Sequence, residues 1–311
     1  MAELIGFILT FDAIFTWALA SLVYKWGLKK TEPKANLLFR LCFTCLGAFI
    51  FSLIFGDYTF LWTSNSQDIT SYLIACVISG LSVTIGDLFY YMSLKKIDVS
   101  RTYPLVQLSL VFVVFFSFLF FGEEIIYSTL FGGILILASV FILSSKDKSE
   151  KSQLKRSFKE KLSEDRIIGV LLAIGTAFFW ALAYVSLNQA RILSGDVFVS
   201  NFIRIGFGMV AVGILGFFQK EFYAGFKKEN RGNLKYFIYI GLAGILSLGL
   251  ADAIYIKAAE INGLVLTSVF TANTPMVQQI FSILILKEKF RKRFIIAVLL
   301  IVVGNYIIIL T

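Results

Sequence analysis

Five ionisable side chains lie inside long apolar runs of this 311-residue sequence, and they are the residues best placed to do chemistry: Asp12, Arg40, Asp87, Arg204 and Asp252. A charge at the centre of a membrane-spanning helix costs about 2.5–3.5 kcal/mol on insertion scales, so each needs a partner or a function. We expect two ion pairs, Arg40 with Asp87 and Arg204 with Asp252. Structural neutralisation, gates that pair alternately as the two faces open, and direct contact with a substrate all remain open.

Proline and polar side chains near these charges predict a kinked helix beside a solute path. Pro275 removes one backbone donor and frees the carbonyl of Thr271. Pro104 is the other predicted kink. The candidate substrate-binding residues are Trp17, Tyr90, Tyr103, Gln107, Trp180, Tyr184, Tyr255, Asn273 and Gln278. Helix packing is the alternative for the aromatic residues, and polar contacts between helices are the alternative for the polar ones.

The sequence lacks the residues that an intramembrane enzyme usually needs for catalysis. It contains no histidine, and its three cysteines lie in apolar runs without further metal ligands. No Ser or Cys nucleophile stands beside a base, and no Gly-Lys phosphate-binding motif occurs. We therefore predict no enzyme activity, no metal and no cofactor. Glu123 and Glu288 are expected to cap loops and to pair with basic neighbours.

Ten predicted transmembrane helices position these side chains, which makes the chain an all-α polytopic membrane protein. Hydrophobic residues make up 58% of the sequence, with a mean hydropathy of +0.82. About 20 apolar residues suffice to span a hydrocarbon layer of roughly 30 Å. The predicted helices cover residues 4–26, 35–55, 70–94, 99–121, 125–144, 167–190, 196–218, 235–258, 263–286 and 293–310.

The helices form two five-helix units, residues 1–145 and 167–311, joined by a charged connector at residues 146–166. The units repeat each other 163 to 165 positions apart: Trp17 recurs as Trp180, Arg40 as Arg204, Asp87 as Asp252, and Tyr90 as Tyr255. Because five is odd, the second unit enters the membrane upside down. Inverted repeats of this kind place a substrate site near the midplane, between the halves. Two fused halves also favour a monomer.

Basic residues predict the orientation. Of the 29 Lys and Arg residues, 25 lie in the connector or in loops on its side of the membrane. Loops rich in these residues stay in the cytoplasm, which places the connector inside and both termini outside. The net charge of +9 is therefore explained by membrane orientation, and no nucleic-acid partner is predicted.

The ordered set of residues resembles the EamA family of the drug/metabolite transporter superfamily. The resemblance rests on Arg40, Arg204, Trp180, Pro275 and Glu288, together with residues 103–105 and the Gly122–Glu123 step. It implies ten helices built as two five-helix repeats, and transport of amino acids or related solutes. One departure is that Leu110 stands at the position matching Pro275, so the halves should not bend alike. A second is orientation, because the family's habit places the termini in the cytoplasm.

The resulting prediction is a secondary transporter of the plasma membrane. It moves a small organic metabolite across the lipid bilayer by alternating access, including in the direction of efflux. A lipid or lipid-carrier flippase on the same scaffold is the alternative. A cavity open sideways to lipid would favour the flippase.

Overall fold

The computed structural model describes residues 2–97, 102, 105–124, 126–144, 162–286 and 293–309. Tyr103, Pro104, Glu288 and residues 145–161 of the connector region lie outside the described residues, so the predictions placed on them stay predictions. The regular structure is helical, and no strand occurs within the described ranges.

The first half begins with helices whose ends follow ordinary capping rules. Pro33 opens α2, where its missing N–H leaves no helical bond unmade. The side chain of Asn65 accepts a hydrogen bond from the Asp68 backbone N–H at the start of α4. Gly122 ends α5 in the left-handed region, at φ 63°. The helices are α1 (Ala2–Gly27), α2 (Pro33–Phe55), α3 (Thr59–Thr63), α4 (Ser66–Lys96), α5 (Ser109–Phe121) and α6 (Tyr127–Ser144).

The second half contains two helical runs that are less regular than expected. The run predicted at 235–258 continues to Asn262 and contains a π-helical segment, Ile245–Ala251. The run predicted at 263–286 is divided at Ala272 and Asn273. The elements are α7 (Leu162–Ser194), α8 (Val197–Phe218), two 3₁₀ turns (Lys220–Phe226 and Lys228–Asn233), α9 (Leu234–Gly244), the π segment, α10 (Asp252–Asn262), α11 (Leu264–Thr271), α12 (Thr274–Leu286) and α13 (Arg293–Ile309).

Six helical segments are long and apolar enough to cross a membrane: Glu3–Gly27, Pro33–Phe55, Ser66–Lys96, Ile167–Ser194, Val197–Phe218 and Lys228–Asn262. Shorter apolar helices cover Ser109–Phe121, Tyr127–Ile142 and Ile295–Ile308. Large apolar side chains cover their outer surfaces, such as Leu53 at 61% exposure and Leu171 at 62%. Lipid solvates such a surface well, and water does not. The chain is thus an all-helical polytopic membrane protein, and the count of ten spans stays a prediction.

The two halves pack into each other. α4 lies along α7, α1 along α10, α2 along α8, and α6 along α13. Glycines permit the closest approaches: a Cβ on Gly80 would lie 2.0 Å from the Arg204 carbonyl oxygen, and one on Gly132 would lie 2.6 Å from that of Gly304. Small residues let helix backbones approach in this way. Both contacts join one half to the other, so the central space is built from both.

Candidate functional site

A cavity of about 120 Å³ lies where the halves meet. Its wall comes from α1, α2, α4, α5, α7, the π segment, α10, α11 and the start of α12. Six of the predicted substrate-binding residues line it: Trp17, Tyr90, Gln107, Trp180, Tyr184 and Tyr255. Three charged residues also line it, namely Arg40, Asp87 and Asp252. Arg204 is not among the lining residues.

The first ion pair joins α2 to α4. The Arg40 Nη2 donates to Asp87 Oδ2, and each residue is only 3% exposed. The other carboxylate oxygen, Asp87 Oδ1, accepts a hydrogen bond from the indole nitrogen of Trp180 at 3.1 Å. The rings of Tyr24 and Tyr91 each lie 5.3 Å from the Arg40 guanidinium, within the range of a cation–π contact.

The second ion pair joins α8 to α10 and is more enclosed. Arg204 Nη2 lies 2.5 Å from Asp252 Oδ2, and the arginine is fully buried. Its Nε donates to Asn201 Oδ1 at 2.7 Å and its Nη1 to Ser79 Oγ at 3.3 Å. Asp252 Oδ1 also accepts hydrogen bonds from Trp17 Nε1 at 3.1 Å and from the Tyr184 hydroxyl at 3.4 Å. Every nitrogen of this guanidinium therefore has a partner.

Each of the two tryptophans on the cavity wall donates a hydrogen bond to an aspartate of the opposite half. Trp17 of the first half binds Asp252, and Trp180 of the second half binds Asp87. Each arginine, in contrast, binds the aspartate of its own half. Sequence reasoning placed the tryptophans in aromatic walls and missed their bonds to the aspartates. The available signal was that tryptophan and aspartate recur together in both halves.

The π segment presents backbone carbonyls that other helices bind. Asn201 Nδ2 donates to the carbonyls of Leu248 and Gly249, at 3.0 and 2.8 Å. Trp17 Nε1 donates to the Ser247 carbonyl at 3.2 Å, and the hydroxyls of Tyr24 and Ser247 lie 2.6 Å apart. π bulges inside helices are frequent at functional sites. Neither Asn201 nor Ser247 was among the predicted site residues, although an Asn three residues before an intramembrane Arg was a usable signal.

The aromatic residues pack against one another while facing the cavity. Ring centroids of Trp17, Tyr184 and Tyr255 lie 4.8–6.0 Å apart. Those of Tyr90 and Trp180 lie 5.2 Å apart. Such contacts stabilise the wall by about 0.5–1.5 kcal/mol each beyond burial. These side chains therefore pack against one another and also line the cavity.

The helix break before Pro275 brings only some of the polar side chains near this proline to the cavity. Thr271 and Thr274 line it, and the Thr274 hydroxyl donates to the Thr271 carbonyl at 2.5 Å, which satisfies the group expected to be freed. Asn273 instead exchanges hydrogen bonds with Asn305 of α13, at 3.1 and 3.3 Å. Gln278 is buried outside the lining.

Two acidic residues outside the cavity differ in their surroundings. The Glu123 carboxylate accepts hydrogen bonds from the backbone N–H groups of Leu264 and Val265, at 3.1 and 3.0 Å, and so caps the start of α11. Asp12 is exposed on α1. Within the described residues no cluster of three His, Cys, Asp or Glu side chains could hold a metal ion.

Comparison with known proteins identifies the family. The EamA-like transporter family matches residues 4–145 and 167–310. An uncharacterized transporter of Archaeoglobus fulgidus is 24% identical over 306 residues, which cover 97% of each chain. A protein of known crystal structure shares the fold, with a TM-score of 0.71 at 15% identity over 97% of this chain and 95% of that chain. The chain belongs to the EamA-like transporter family, within the drug/metabolite transporter superfamily, and is an integral membrane transporter.

Proposed function

We propose that this transporter moves a small organic metabolite, an amino acid or a related solute, across the plasma membrane by alternating access. The observation that carries the proposal is the central cavity, whose wall both halves build and whose two aspartates each accept a hydrogen bond from the opposite half. A cavity built by two bodies changes shape when those bodies move. Because one chain forms the whole cavity, a monomer suffices.

The size and polarity of the cavity support a small solute. One water needs roughly 10–15 Å³ of such space, so a cavity of about 120 Å³ takes a compact molecule of roughly eight to twelve heavy atoms without expanding. Its wall mixes the amide of Gln107 and the hydroxyl of Thr271 with apolar side chains such as Val83 and Val106. Ligand sites typically combine an apolar wall with a few polar groups that set orientation.

The flippase alternative gains no support from the wall of the cavity. A lateral opening to lipid would require α4, α5, α10 and α11 to part, and all four contribute lining residues. The ion pairs were predicted as gates that pair alternately as the two faces open. In the mechanism proposed here the Trp17–Asp252 and Trp180–Asp87 bonds break instead when one half moves against the other, while each arginine keeps the aspartate of its own half neutralised.

Transport into proteoliposomes tests the proposal, with Ser109→Trp as the blocking variant. Ser109 lines the cavity and is only partly buried, so an indole there can enter the empty space. Phe115→Trp is the matched control, because Phe115 lies on the same helix and is 57% exposed on the outer surface. We expect radiolabelled amino acid uptake to fall to background in the first variant and to persist in the second. Unchanged uptake by a folded Ser109→Trp protein would refute a path through this cavity.

The orientation has its own test. The Lys and Arg count places the termini outside, whereas the family habit places them inside. A cysteine introduced at Glu3, in a chain whose native cysteines are replaced by alanine, reports the side by its labelling with a membrane-impermeant maleimide in intact cells. Labelling would support the charge count, and protection until lysis would support the family habit.

A further inference from the structure

A second cavity, of about 100 Å³, lies between α5, α6 and α11, and we call it the lateral pocket. Its floor consists of three buried apolar residues, Leu110, Val265 and Val269. Its rim includes three apolar residues that are 44–54% exposed on the outer surface of the helices, Leu130, Val111 and Ile134. The pocket is therefore an indentation that opens on the lipid-facing surface of the protein.

The lateral pocket extends along one half of the hydrocarbon layer. Tyr127 begins α6 and is 88% exposed, which is typical of an aromatic residue at the membrane interface. The pocket residues of α6 run from Thr129 to Leu137. At a rise of about 1.5 Å per residue, they lie roughly 3 to 15 Å from Tyr127 along the helix. One leaflet contributes about 15 Å of hydrocarbon, so the pocket runs beside the acyl chains of one leaflet.

The pocket exists because residue 133 has no side chain. The preceding glycine, Gly132, is needed for packing, since a Cβ there would lie 2.6 Å from the carbonyl oxygen of Gly304. A Cβ on Gly133 would instead lie 3.5 Å from Val269 and 3.6 Å from Leu110, which is ordinary van der Waals contact. Helix packing among the described residues therefore does not require Gly133. Its missing side chain leaves space that neighbouring helices do not fill.

The chemistry of the lining selects hydrocarbon as the occupant. The lining is apolar except for the hydroxyl of Thr129, whereas a buried water needs two to four polar partners. An empty pocket would forfeit the dispersion contacts that its lining could make. Hydrocarbon restores those contacts, and the rim of the pocket already borders the hydrocarbon of the bilayer.

We propose that the lateral pocket binds an acyl chain of a bilayer lipid, which lies along α6 over Gly133 and against Leu110. At roughly 10–15 Å³ per water-sized position, about 100 Å³ holds roughly seven to ten heavy atoms, which is a part of one acyl chain. Leu110 also lines the central cavity, so a chain in the lateral pocket supports the wall of that cavity from the lipid side. The site does not depend on which solute is transported.

Photo-crosslinking of the full chain in lipid nanodiscs tests the inference. The probe is a phosphatidylcholine with a diazirine near the end of one acyl chain, diluted in unlabelled phosphatidylcholine, and mass spectrometry of peptides assigns the labelled residues. The readout is labelling of the pocket floor at Val265 and Val269, which are buried from bulk lipid. Ile136, fully buried on α6 and not part of the lining, is the internal control. We expect both valines to be labelled at least about fivefold more than Ile136, a ratio equivalent to about 1 kcal/mol.

Variants then assign the labelling to the space at Gly133. Gly133→Leu fills the pocket from its own wall and should abolish labelling of Val265 and Val269. Gly206→Leu is the matched control, because Gly206 is a half-buried helical glycine with open space around its Cβ position, and labelling should persist. If Gly133→Leu fails to fold, Gly133→Ala serves, since its Cβ makes only ordinary contacts, and labelling of the two valines should be partly lost.

Three results would overturn the inference. In the first, Val265 and Val269 are labelled no more than Ile136, as expected if lipid only covers the outer surface. In the second, their labelling is unchanged in the folded Gly133 variants. In the third, adamantyl diazirine, a compact apolar probe, labels them while the photoreactive lipid does not. That result would assign the pocket to a free apolar solute and refute an acyl chain.

Discussion

The two ion pairs occupy repeated positions in the sequence, yet only the first exposes its arginine to the cavity. Arg40 lines the cavity beside the rings of Tyr24 and Tyr91, and its buried Nε has no hydrogen-bond partner among the described residues. Arg204 lies behind Asp252 and is fully buried, with all its nitrogens bonded. The same residue pair thus has an uncommitted donor in one half and none in the other.

Neighbouring residues explain the difference. Asn201 stands three residues before Arg204, whereas Leu37 stands three residues before Arg40. Only the asparagine can bind the Arg204 Nε and, at the same time, the carbonyls of Leu248 and Gly249 in the π segment. The corresponding part of α4, before Asp87, is regular α-helix. The same ion pair thus recurs in both halves, and the residues around it give the two copies different surroundings.

The largest expected effect is a difference in stability between variants of Arg204 and variants of Arg40. Arg204→Met leaves Asp252 buried without its partner and should cost about 3–5 kcal/mol of unfolding free energy. Arg40→Met should cost less, because Arg204→Met additionally leaves Asn201 Oδ1 and Ser79 Oγ without their donor. Thermal unfolding of both variants in one detergent measures the difference. Equal losses would contradict the contrast between the pairs.

Double-variant cycles test whether each arginine acts together with its aspartate. Asp252→Asn should partly rescue Arg204→Met, and Asp87→Ala should partly rescue Arg40→Ala, because each pair acts as a unit. Fully additive losses in unfolding and in uptake would refute the pairing.

The close helix contact at Gly80 should contribute more to stability than the contact at its counterpart in the other half, Gly244. Gly80→Ala places a Cβ 2.0 Å from the Arg204 backbone oxygen, so α4 and α8 must separate, at a cost of about 1–3 kcal/mol. Gly244→Ala meets the Arg40 side chain at 2.5 Å, which can shift, so its thermal destabilisation should be smaller. Gly206→Ala has open space and should be neutral. A neutral Gly80→Ala would show that the two helices are not in close contact there.

The π segment should depend on Asn201. Asn201→Leu introduces the residue found at the repeated position, leaves two carbonyls and the Arg204 Nε without their partner, and should cost about 1–3 kcal/mol. Hydrogen exchange should accelerate in residues 245–251. Asn230→Leu, which removes an amide bond to the Ala224 carbonyl in a 3₁₀ turn, is the control and should leave that exchange unchanged. Unaltered protection in Asn201→Leu would contradict the role of this asparagine.

The smallest effects should be nearly equal in the two halves. Trp17→Phe and Trp180→Phe each remove one indole donor to an aspartate, at an expected cost of about 1–2 kcal/mol. Trp17→Phe should cost slightly more, since Trp17 also donates to the Ser247 carbonyl. Thermal unfolding measures both losses. If only one variant were destabilised, the crossed tryptophan bonds would not be equivalent.

The sequence by itself determined much of the helical framework and the choice of partners in the ion pairs. Long apolar runs interrupted by charged loops predict membrane helices because each run must satisfy its own backbone in lipid. Arg40 and Asp87 recur as Arg204 and Asp252, and charges buried in lipid must be neutralised, so their pairing was predictable. Six cavity residues were also anticipated from their aromatic or polar type.

Only the tertiary structure decided which polar groups meet across the halves. It paired Asn273 with Asn305, placed Thr271 and Thr274 at the cavity, and hid Arg204 while leaving Arg40 on the wall. It also inserted the π segment before Asp252. Hydrophobic periodicity reports which face of a helix is buried, but it carries no information on which distant helix lies against that face. Hydrogen-bond partners depend on that approach, to within a few tenths of an ångström.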